Sequence, residues 1–230
     1  MPDHLTGAAY LNCSKLEVLL GAELLDQVKG KRVVDFGCGE GREVIELAKR
    51  GAASVLGVEI REALREEARR NAVAAGVADR CEFASAGIGL ADVVVSLDSF
   101  EHFAEPEAVL DQIAGLLVRG GRMFIAFGPP WRHPWGGHAF SPFPWAHLLF
   151  SERALVRWRA DFVQNGVTRF CEVPGGLNQM TVGRFERMVR RSQFRVDLSK
   201  AVPIRRLAWA HCRLTREFTT SVVRCVLTKT

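Results

Sequence analysis

Short apolar runs rich in β-branched residues alternate with helical segments from residue 33 to residue 127 of this chain. Strands that are separated by helices pair in parallel through right-handed crossovers, so the pattern predicts an α/β fold with an open, doubly wound sheet. We predict five strands in this part, at RVVDF, SVLGVEI, CEFAS, ADVVVSL and RMFIAF. The helix before the fifth strand is predicted over residues 105–121, because a proline opens it and glycines close it.

The segments on either side of this alternation have other patterns. Apolar positions at helical spacing predict a helical cap over residues 1–29. Residues 128–150 contain five prolines, three tryptophans and three histidines, so we expect a lid inserted over residues 128–180, after the fifth strand. A helix at TVGRFERMVRRSQ and two strands at FRVDLS and FTTSVVRCVLTK complete an expected single domain over residues 1–230.

The composition places the chain among soluble globular proteins, with 48% hydrophobic and 25% charged residues. No apolar stretch reaches the roughly 18 to 20 residues that a membrane span needs, and the first residues do not resemble a secretory signal. The six cysteines are scattered without a C-x-x-C pair, which indicates reduced thiols rather than disulfides or a zinc site. We therefore expect a cytoplasmic protein, either a monomer or a homodimer.

The net charge of +5 is concentrated late in the chain, in RMVRRSQFR and IRRLAWAHCR. Such a surface can simply be solvated, or it can attract an acidic substrate or a nucleic acid. Charge alone does not choose between these alternatives.

The first strand runs into a glycine-rich turn, VVDFGCGEGR, over residues 33–42. The dinucleotide pattern G-x-G-x-x-G is absent because Arg42 occupies its last position, and no P-loop lysine follows. Asp35 would repel a pyrophosphate by about 1 kcal/mol at ~4 Å even in high dielectric, and by more when buried. An ammonium and a sulfonium would be attracted instead, and S-adenosylmethionine carries both. Glu59, at the end of the second strand, suits ribose hydroxyls, although it could also be a surface residue.

Residues 30–130 resemble the class I SAM-dependent methyltransferases, particularly the broad type 11-like group that acts on small molecules. The resemblance is carried by VVDFGCGEGREVIELAKRGAASVLGVEI, ADVVVSLDSFEHF and LVRGGRMFIAFGPP. It implies a Rossmann-like, mostly parallel seven-stranded sheet with an antiparallel C-terminal edge hairpin. It also implies S-adenosylmethionine as cofactor, S-adenosylhomocysteine as product, and no metal.

The resemblance further implies a cofactor site. Asp35 and the glycine turn would hold the methionine part, Glu59 the ribose, and Leu97 with Asp98 would border the sulfonium. The family often has an acid after the third strand for the adenine amino group, but Ser85 stands in that stretch here, so contact through Ser85 or through backbone stays open. The implied site comprises Asp35, Gly37, Cys38, Gly39, Gly41, Glu59, Ser85, Leu97 and Asp98.

Methyl transfer is an in-line displacement that needs a base only when the acceptor must lose a proton. His138 is our first candidate base because a Gly-Gly pair precedes it, and His133 lies in the same loop. The stretch DSFEHF, after the fourth strand, supplies Glu101 and His102, although His102 could equally cap and pack the next helix. The spacing of the histidines in residues 128–150 matches no common zinc pattern, so no metal is expected.

The lid supplies candidate acceptor contacts. Trp131, Trp135 and Phe140 would exclude water and hold a flat or hydrophobic acceptor, or they could simply plug the end of the sheet. Arg153 and Arg157, on a helix after the lid aromatics, would attract an anionic acceptor.

These observations together favour methyl transfer to a small molecule. The alternatives are an RNA or protein methyltransferase that docks through the basic C-terminal third, and a SAM-binding domain without catalysis. Enzymes that methylate base amines usually carry Pro-Pro-aromatic after the fourth strand, whereas GPPW follows the fifth strand here. Nucleic acid is therefore not the partner we expect.

Overall fold

The computed structural model describes residues 14–138, 143–161, 169–170 and 177–230. Seven of the strands in these residues form one sheet in the order β3-β2-β1-β4-β5-β7-β6. The strands are β1 (Arg32–Phe36), β2 (Ser54–Val58), β3 (Cys81–Ala84), β4 (Ala91–Leu97), β5 (Leu117–Phe127), β6 (Phe194–Pro203) and β7 (Thr220–Lys229).

Helices connect and cover these strands, and none in the described part of the chain is long and apolar enough to cross a bilayer. Two of them lie within the predicted cap, whose residues 1–13 are outside the described ranges. The α-helices are α1 (Lys15–Leu20), α2 (Ala22–Gln27), α3 (Arg42–Lys49), α4 (Glu62–Ala74), α5 (Pro106–Leu116), α6 (Ala146–Leu149), α7 (Glu152–Ala160), α8 (Val182–Arg190) and α9 (Arg216–Thr219), with 3-10 turns at Ala78–Arg80 and Arg205–Ala210.

The sheet confirms the predicted fold class. Strands β1 to β5 pair in parallel, while β7 runs antiparallel to both β5 and β6 and so forms the edge hairpin. The order of the strands reverses between β1 and β4, which are neighbours in the sheet. Ligands of open α/β sheets bind beyond the carboxyl ends of the strands at such a reversal.

Each face of the sheet has its own hydrophobic core. Val34 belongs to the cluster that packs against α5 and α8, while its neighbour Val33 belongs to the cluster with α1 to α4. Successive side chains of a strand point to opposite faces, so Asp35 faces the same side as Val33. The carboxylate that we singled out is thereby directed toward α1 and α3.

The predicted boundary between the fifth helix and the fifth strand is wrong. Helix α5 ends at Leu116, and residues 117–121, which we assigned to the helix, begin strand β5. The cause is a bulge: Leu117 pairs with Ala91 and Arg122 pairs with Val93, with a register shift between them. The pair Gly120 and Gly121 predicts the end of a helix, but it lies in the irregular first part of β5. Gly120 has a φ of +76° there.

Candidate functional site

The glycine turn after β1 contacts the ends of β2 and β4, and it is open at Gly39. The backbone N–H groups of Gly37 and Cys38 both donate to the carbonyl of Val58, at 2.8 and 3.0 Å. A Cβ on Gly37 would lie 2.4 Å from Ser99 Oγ, so this glycine is pressed against the end of β4. A Cβ on Gly39 would meet nothing within 4 Å. The turn therefore leaves space for a ligand on the side of Gly39.

Asp35 lies two residues before this turn and is only 2% exposed. Its Oδ2 atom has no hydrogen-bond partner among the described residues. Burial, together with the nearby carboxylate of Glu43, raises the pKa of Asp35 well above its ordinary value. A buried acid in this state is suited to a ligand that brings its own positive charge.

Lys15 extends from α1 into the acids beside the turn. Its Nζ atom lies 2.9 Å from Asp98 Oδ2 and 3.8 Å from Glu43 Oε1. Although burial lowers the pKa of Lys15, the charges of Asp98 and Glu43 outweigh it and raise the pKa overall. Sequence reasoning missed Lys15 and Glu43. The helical spacing of α1 indicates which of its residues are buried, but it does not indicate which distant side chains Lys15 contacts.

Glu59 is 5% exposed and directly follows β2, which ends at Val58, two residues earlier than predicted. Arg61 engages both of its oxygens, with Nε 2.9 Å from Oε1 and Nη2 3.0 Å from Oε2. Burial tends to raise the pKa of Glu59, but the hydrogen bonds from Arg61 lower it below its usual value. A ligand whose hydroxyls bind Glu59 would share this carboxylate with Arg61, another residue that sequence reasoning missed.

Three other predicted cofactor residues surround the turn. Leu97 is buried as the last residue of β4, and Cys38 is buried with a pKa that burial raises. Ser85 is exposed directly after β3, next to Ala84, whose carbonyl accepts a hydrogen bond from the backbone N–H of Glu59. Ser85 is thus adjacent to the strand end that carries Glu59.

Glu101, His102 and His138 form a cluster at the carboxyl ends of β4 and β5. One nitrogen or oxygen atom of each lies within 4.8 Å of those of the other two, and the imidazole centroids are 5.4 Å apart. Glu101 Oε1 accepts a hydrogen bond from Gly128 N at 3.2 Å, while Oε2 has no partner among the described residues. Burial, with a smaller effect of the Asp98 charge, raises the pKa of Glu101 to about 8. The geometry thus places Glu101, already a candidate from DSFEHF, beside His102 and His138.

His138 is held in a defined orientation within this cluster. Its Nδ1 lies 3.1 Å from the carbonyl oxygen of Gly136, so Nδ1 carries the proton and Nε2 keeps its lone pair. Burial, followed by the effect of His102, lowers the pKa of His138 to about 4, which keeps the ring neutral near pH 7. A neutral imidazole beside a carboxyl group can accept a proton, and the same three side chains are also possible ligands of a divalent metal.

His133 lies outside this cluster. It is 2% exposed, and its Nδ1 accepts a hydrogen bond from the backbone N–H of Trp135 at 3.0 Å. This contact fixes the loop after β5. A catalytic role for His133 stays a prediction, and its observed contact is structural.

The lid residues form an aromatic cluster of their own. Trp131 packs against His147 and Phe170, with ring centroids 4.6 and 5.4 Å away. Trp135 borders a small gap that His138 also lines. Phe140 lies outside the described residues. Arg153 and Arg157 share an exposed face of α7.

The pKa of Glu101 leads to a testable pH dependence of stability. A carboxyl with a folded pKa of about 8 binds a proton that the unfolded chain has lost above its ordinary value of 4.5. We therefore expect the free energy of unfolding to fall between pH 5 and pH 8, by at most about 1.4 kcal/mol per pH unit from this group. Urea unfolding should show a flatter profile for Glu101→Gln. The matched variant of an exposed acid, Glu82→Gln, should keep the wild-type slope, and equal slopes in all three proteins would contradict the prediction.

Comparisons with known proteins agree with this geometry. A family model described as a methyltransferase domain matches residues 6–198. A ubiquinone biosynthesis O-methyltransferase from Neisseria meningitidis serogroup A is 36% identical over 161 residues, which cover 64% of this chain and 63% of that protein. Its serogroup C counterpart is 36% identical over 106 residues, which cover 43% of this chain and 44% of the relative. The chain thus spans between 44% and 63% of the length of these two curated relatives.

Solved structures share the fold at low identity. An S-adenosylmethionine-dependent methyltransferase from Mesorhizobium loti superposes with a TM-score of 0.61 at 20% identity, covering 93% of this chain and 100% of that one. The [4+2]-cyclase SpnF superposes with a TM-score of 0.59 at 15% identity, covering 90% of this chain and 80% of that one. Because one of these two is named as a cyclase, the fold alone does not specify the reaction.

Proposed function

This chain belongs to the methyltransferase-domain family, and on that premise we propose that it transfers a methyl group from S-adenosylmethionine to a small-molecule acceptor. One observation carries the proposal: the buried Asp35, with an unpartnered carboxylate oxygen, precedes a glycine turn that is open at Gly39. A phosphate would be repelled by this carboxylate, whereas an ammonium or a sulfonium is attracted.

In this proposal, each residue around the turn binds a different part of the cofactor. Asp35 attracts the cationic groups, the open side of the turn at Gly39 faces the methionine part, and Glu59 binds the ribose hydroxyls. Lys15, which is surrounded by acids in the ligand-free protein, binds the carboxylate of the methionine part. When bound, the cofactor supplies an activated methyl group on a sulfonium that is already a good leaving group.

The role of Lys15 can be tested by binding. We expect Lys15→Met to weaken the affinity for S-adenosylmethionine about tenfold, since a charged hydrogen bond is lost. Lys15→Arg should retain most of the affinity. Isothermal calorimetry measures both, with Lys29→Met as a control, because Lys29 is an exposed lysine that pairs only with Asp26 among the described ion pairs. Unchanged affinity in Lys15→Met would remove Lys15 from the cofactor site.

We propose a hydroxyl as the acceptor group. Both relatives described above are named O-methyltransferases, and the cluster of His138 and Glu101 offers a place for the proton that a hydroxyl must lose. The neutral His138 takes that proton, and the Glu101 carboxylate stabilises the imidazolium that forms. The cluster functions in this way only when Glu101 is ionised, so the rate should rise with pH toward about 8, the pKa of Glu101.

The lid supports an acceptor with hydrophobic character. Trp131 and Trp135 provide flat apolar surfaces directly after β5, and they would exclude water from the methyl transfer. In the proposal, Arg153 and Arg157 attract an anionic group of the acceptor toward the lid.

The function as a whole can be tested with S-adenosylmethionine that carries a labelled methyl group. After incubation with a cell extract, label should be found in the small-molecule fraction. Label in RNA or in protein would overturn the proposed substrate class. Binding of S-adenosylmethionine without any label, when the extract is supplemented with simple phenols and catechols, would count against an enzyme.

We also propose that transfer needs no metal. Dialysis against EDTA should leave the turnover rate unchanged, since the reaction requires alignment and a proton acceptor rather than a Lewis acid. A large loss of rate that zinc or magnesium restores would instead make Glu101, His102 and His138 the candidate ligands of a required ion.

The cytoplasm is the proposed location. Cys38, Cys81, Cys212 and Cys225 are free thiols in the described part of the chain, which supports a reducing compartment.

A further inference from the structure

The connection between β6 and β7 exposes large apolar side chains. This connection, residues 204–219, is called the hairpin turn below. Trp209 is 87% exposed and Leu214 is 89% exposed, which makes them the two most exposed large hydrophobic residues that the structure describes. The two side chains lie five residues apart in this one connection, and an exposed apolar surface can mark a site of protein or membrane interaction.

The hairpin turn also carries three exposed arginines. Arg205, Arg206 and Arg213 are exposed, and none of them takes part in an ion pair of the described residues. Two acids within or beside the turn already have partners among the described residues. Glu186 binds Arg216 through both oxygens, and Glu217 accepts a hydrogen bond from the backbone of Gly183 at 2.8 Å.

The exposure belongs to an ordered segment. The backbone N–H of Ile204 donates to the carbonyl of Thr219 at 2.8 Å and so closes the base of the turn. His211 Nδ1 lies 2.8 Å from Thr219 Oγ1, and the N–H of Cys212 donates to Thr215 Oγ1 at 3.0 Å. These hydrogen bonds hold the segment that carries Trp209 and Leu214 in a defined conformation.

The hairpin turn lies at the same end of the strands as the cluster of Glu101, His102 and His138. Strand β7 runs antiparallel to β5, and Val223 pairs with Phe127, the last residue of β5. The start of β7 is therefore beside the segment that leads into the lid. The lid and the turn also meet directly, because the Arg132 guanidinium lies over the ring of Phe218 at 5.7 Å.

We propose that the hairpin turn docks this protein on a bilayer that contains anionic phospholipids. Trp209 and Leu214 enter the interfacial layer, where tryptophan is favoured, and the three arginines bind the anionic headgroups. A nucleic acid would also attract arginines, but the exposed Leu214 matches an apolar interior and offers nothing to a phosphate backbone. Docking here brings the lid next to the membrane, so a hydrophobic acceptor could enter from the lipid; this last step rests on the proposed function, whereas the docking itself does not.

Flotation with lipid vesicles tests the proposal. The full chain should float with vesicles of phosphatidylcholine and phosphatidylglycerol and only weakly with phosphatidylcholine alone. Combined Arg205→Gln, Arg206→Gln and Arg213→Gln changes should reduce binding to the anionic vesicles by about fivefold per arginine. Trp209→Ser with Leu214→Ser should reduce it at least about tenfold. A matched control, Arg70→Gln with Val73→Ser on the exposed face of α4, should float like the wild type.

A second readout uses the wild type and one conservative change. Brominated lipids should quench the tryptophan fluorescence of the wild type, and most of this quenching should be absent in Trp209→Phe. The proposal is overturned if the wild type ignores anionic vesicles, if both groups of variants float normally, or if the arginines prove to bind RNA while vesicles are ignored. His138→Ala should float like the wild type, which separates failure of docking from failure of methyl transfer.

Discussion

Asp35→Asn is expected to lower the affinity for S-adenosylmethionine by about ten- to a hundredfold while leaving the fold at least as stable as before. The amide keeps the shape of the side chain but loses the charge that attracts the cofactor, and hydrogen bonds to charged groups contribute about 1.5 to 3 kcal/mol. In the ligand-free protein the ionised form of Asp35 is disfavoured by burial and by Glu43, so a neutral side chain relieves this cost.

Calorimetry and urea unfolding measure the two effects separately. Asp92→Asn is the matched control, because Asp92 pairs with Arg32 at the opposite end of the sheet and its pKa is lowered by that partner. This control should lose some stability and keep its affinity for the cofactor. An Asp35→Asn protein that binds normally would show that the charge before the glycine turn has no part in cofactor binding.

The second large effect is expected for His138→Ala, whose kcat should fall about 10²- to 10⁴-fold, the range that general base catalysis contributes. Affinity for S-adenosylmethionine should not change, since the proposal assigns His138 to the acceptor and not to the cofactor. Glu101→Gln should reduce kcat less and should remove the rise of the rate toward pH 8, because the amide cannot ionise.

His211→Ala serves as the control for this series, because His211 bonds Thr219 in the hairpin turn and has no part in the proposed chemistry. Its turnover in solution should match that of the wild type. If His138→Ala retains the wild-type rate over the whole pH range, the acceptor loses its proton to solvent or to another group, and the cluster has only a structural role.

The predictable part of this protein is the part that local chemistry determines. The alternation of strands and helices indicated the parallel sheet, and the acid before the glycine turn indicated a cationic ligand. The predicted C-terminal end of α5 was wrong because glycines both end helices and shape β-bulges. Only the pairing of Leu117 with Ala91 distinguishes these two uses.

The rest of the site depends on contacts between residues that are distant in the chain. Lys15 reaches Asp98 across more than eighty residues, and the cluster joins Glu101 to His138 across the ends of two strands. The sequence also does not show how deeply a given side chain is buried. The letters EH at 101–102 do not reveal that the glutamate is 3% exposed with a carboxylate oxygen that lacks a partner among the described residues.

The acids around Lys15 bear on what happens after the methyl group has left. Three carboxyl groups, those of Asp35, Glu43 and Asp98, surround this single lysine. The proposed reactant enters with a surplus positive charge, and the reaction removes it, since the sulfur of S-adenosylhomocysteine is neutral. The same pocket that collects the reactant therefore holds the spent molecule less strongly. Transfer itself weakens the attraction, so the electrostatics of the pocket favour exchange of the product for fresh reactant.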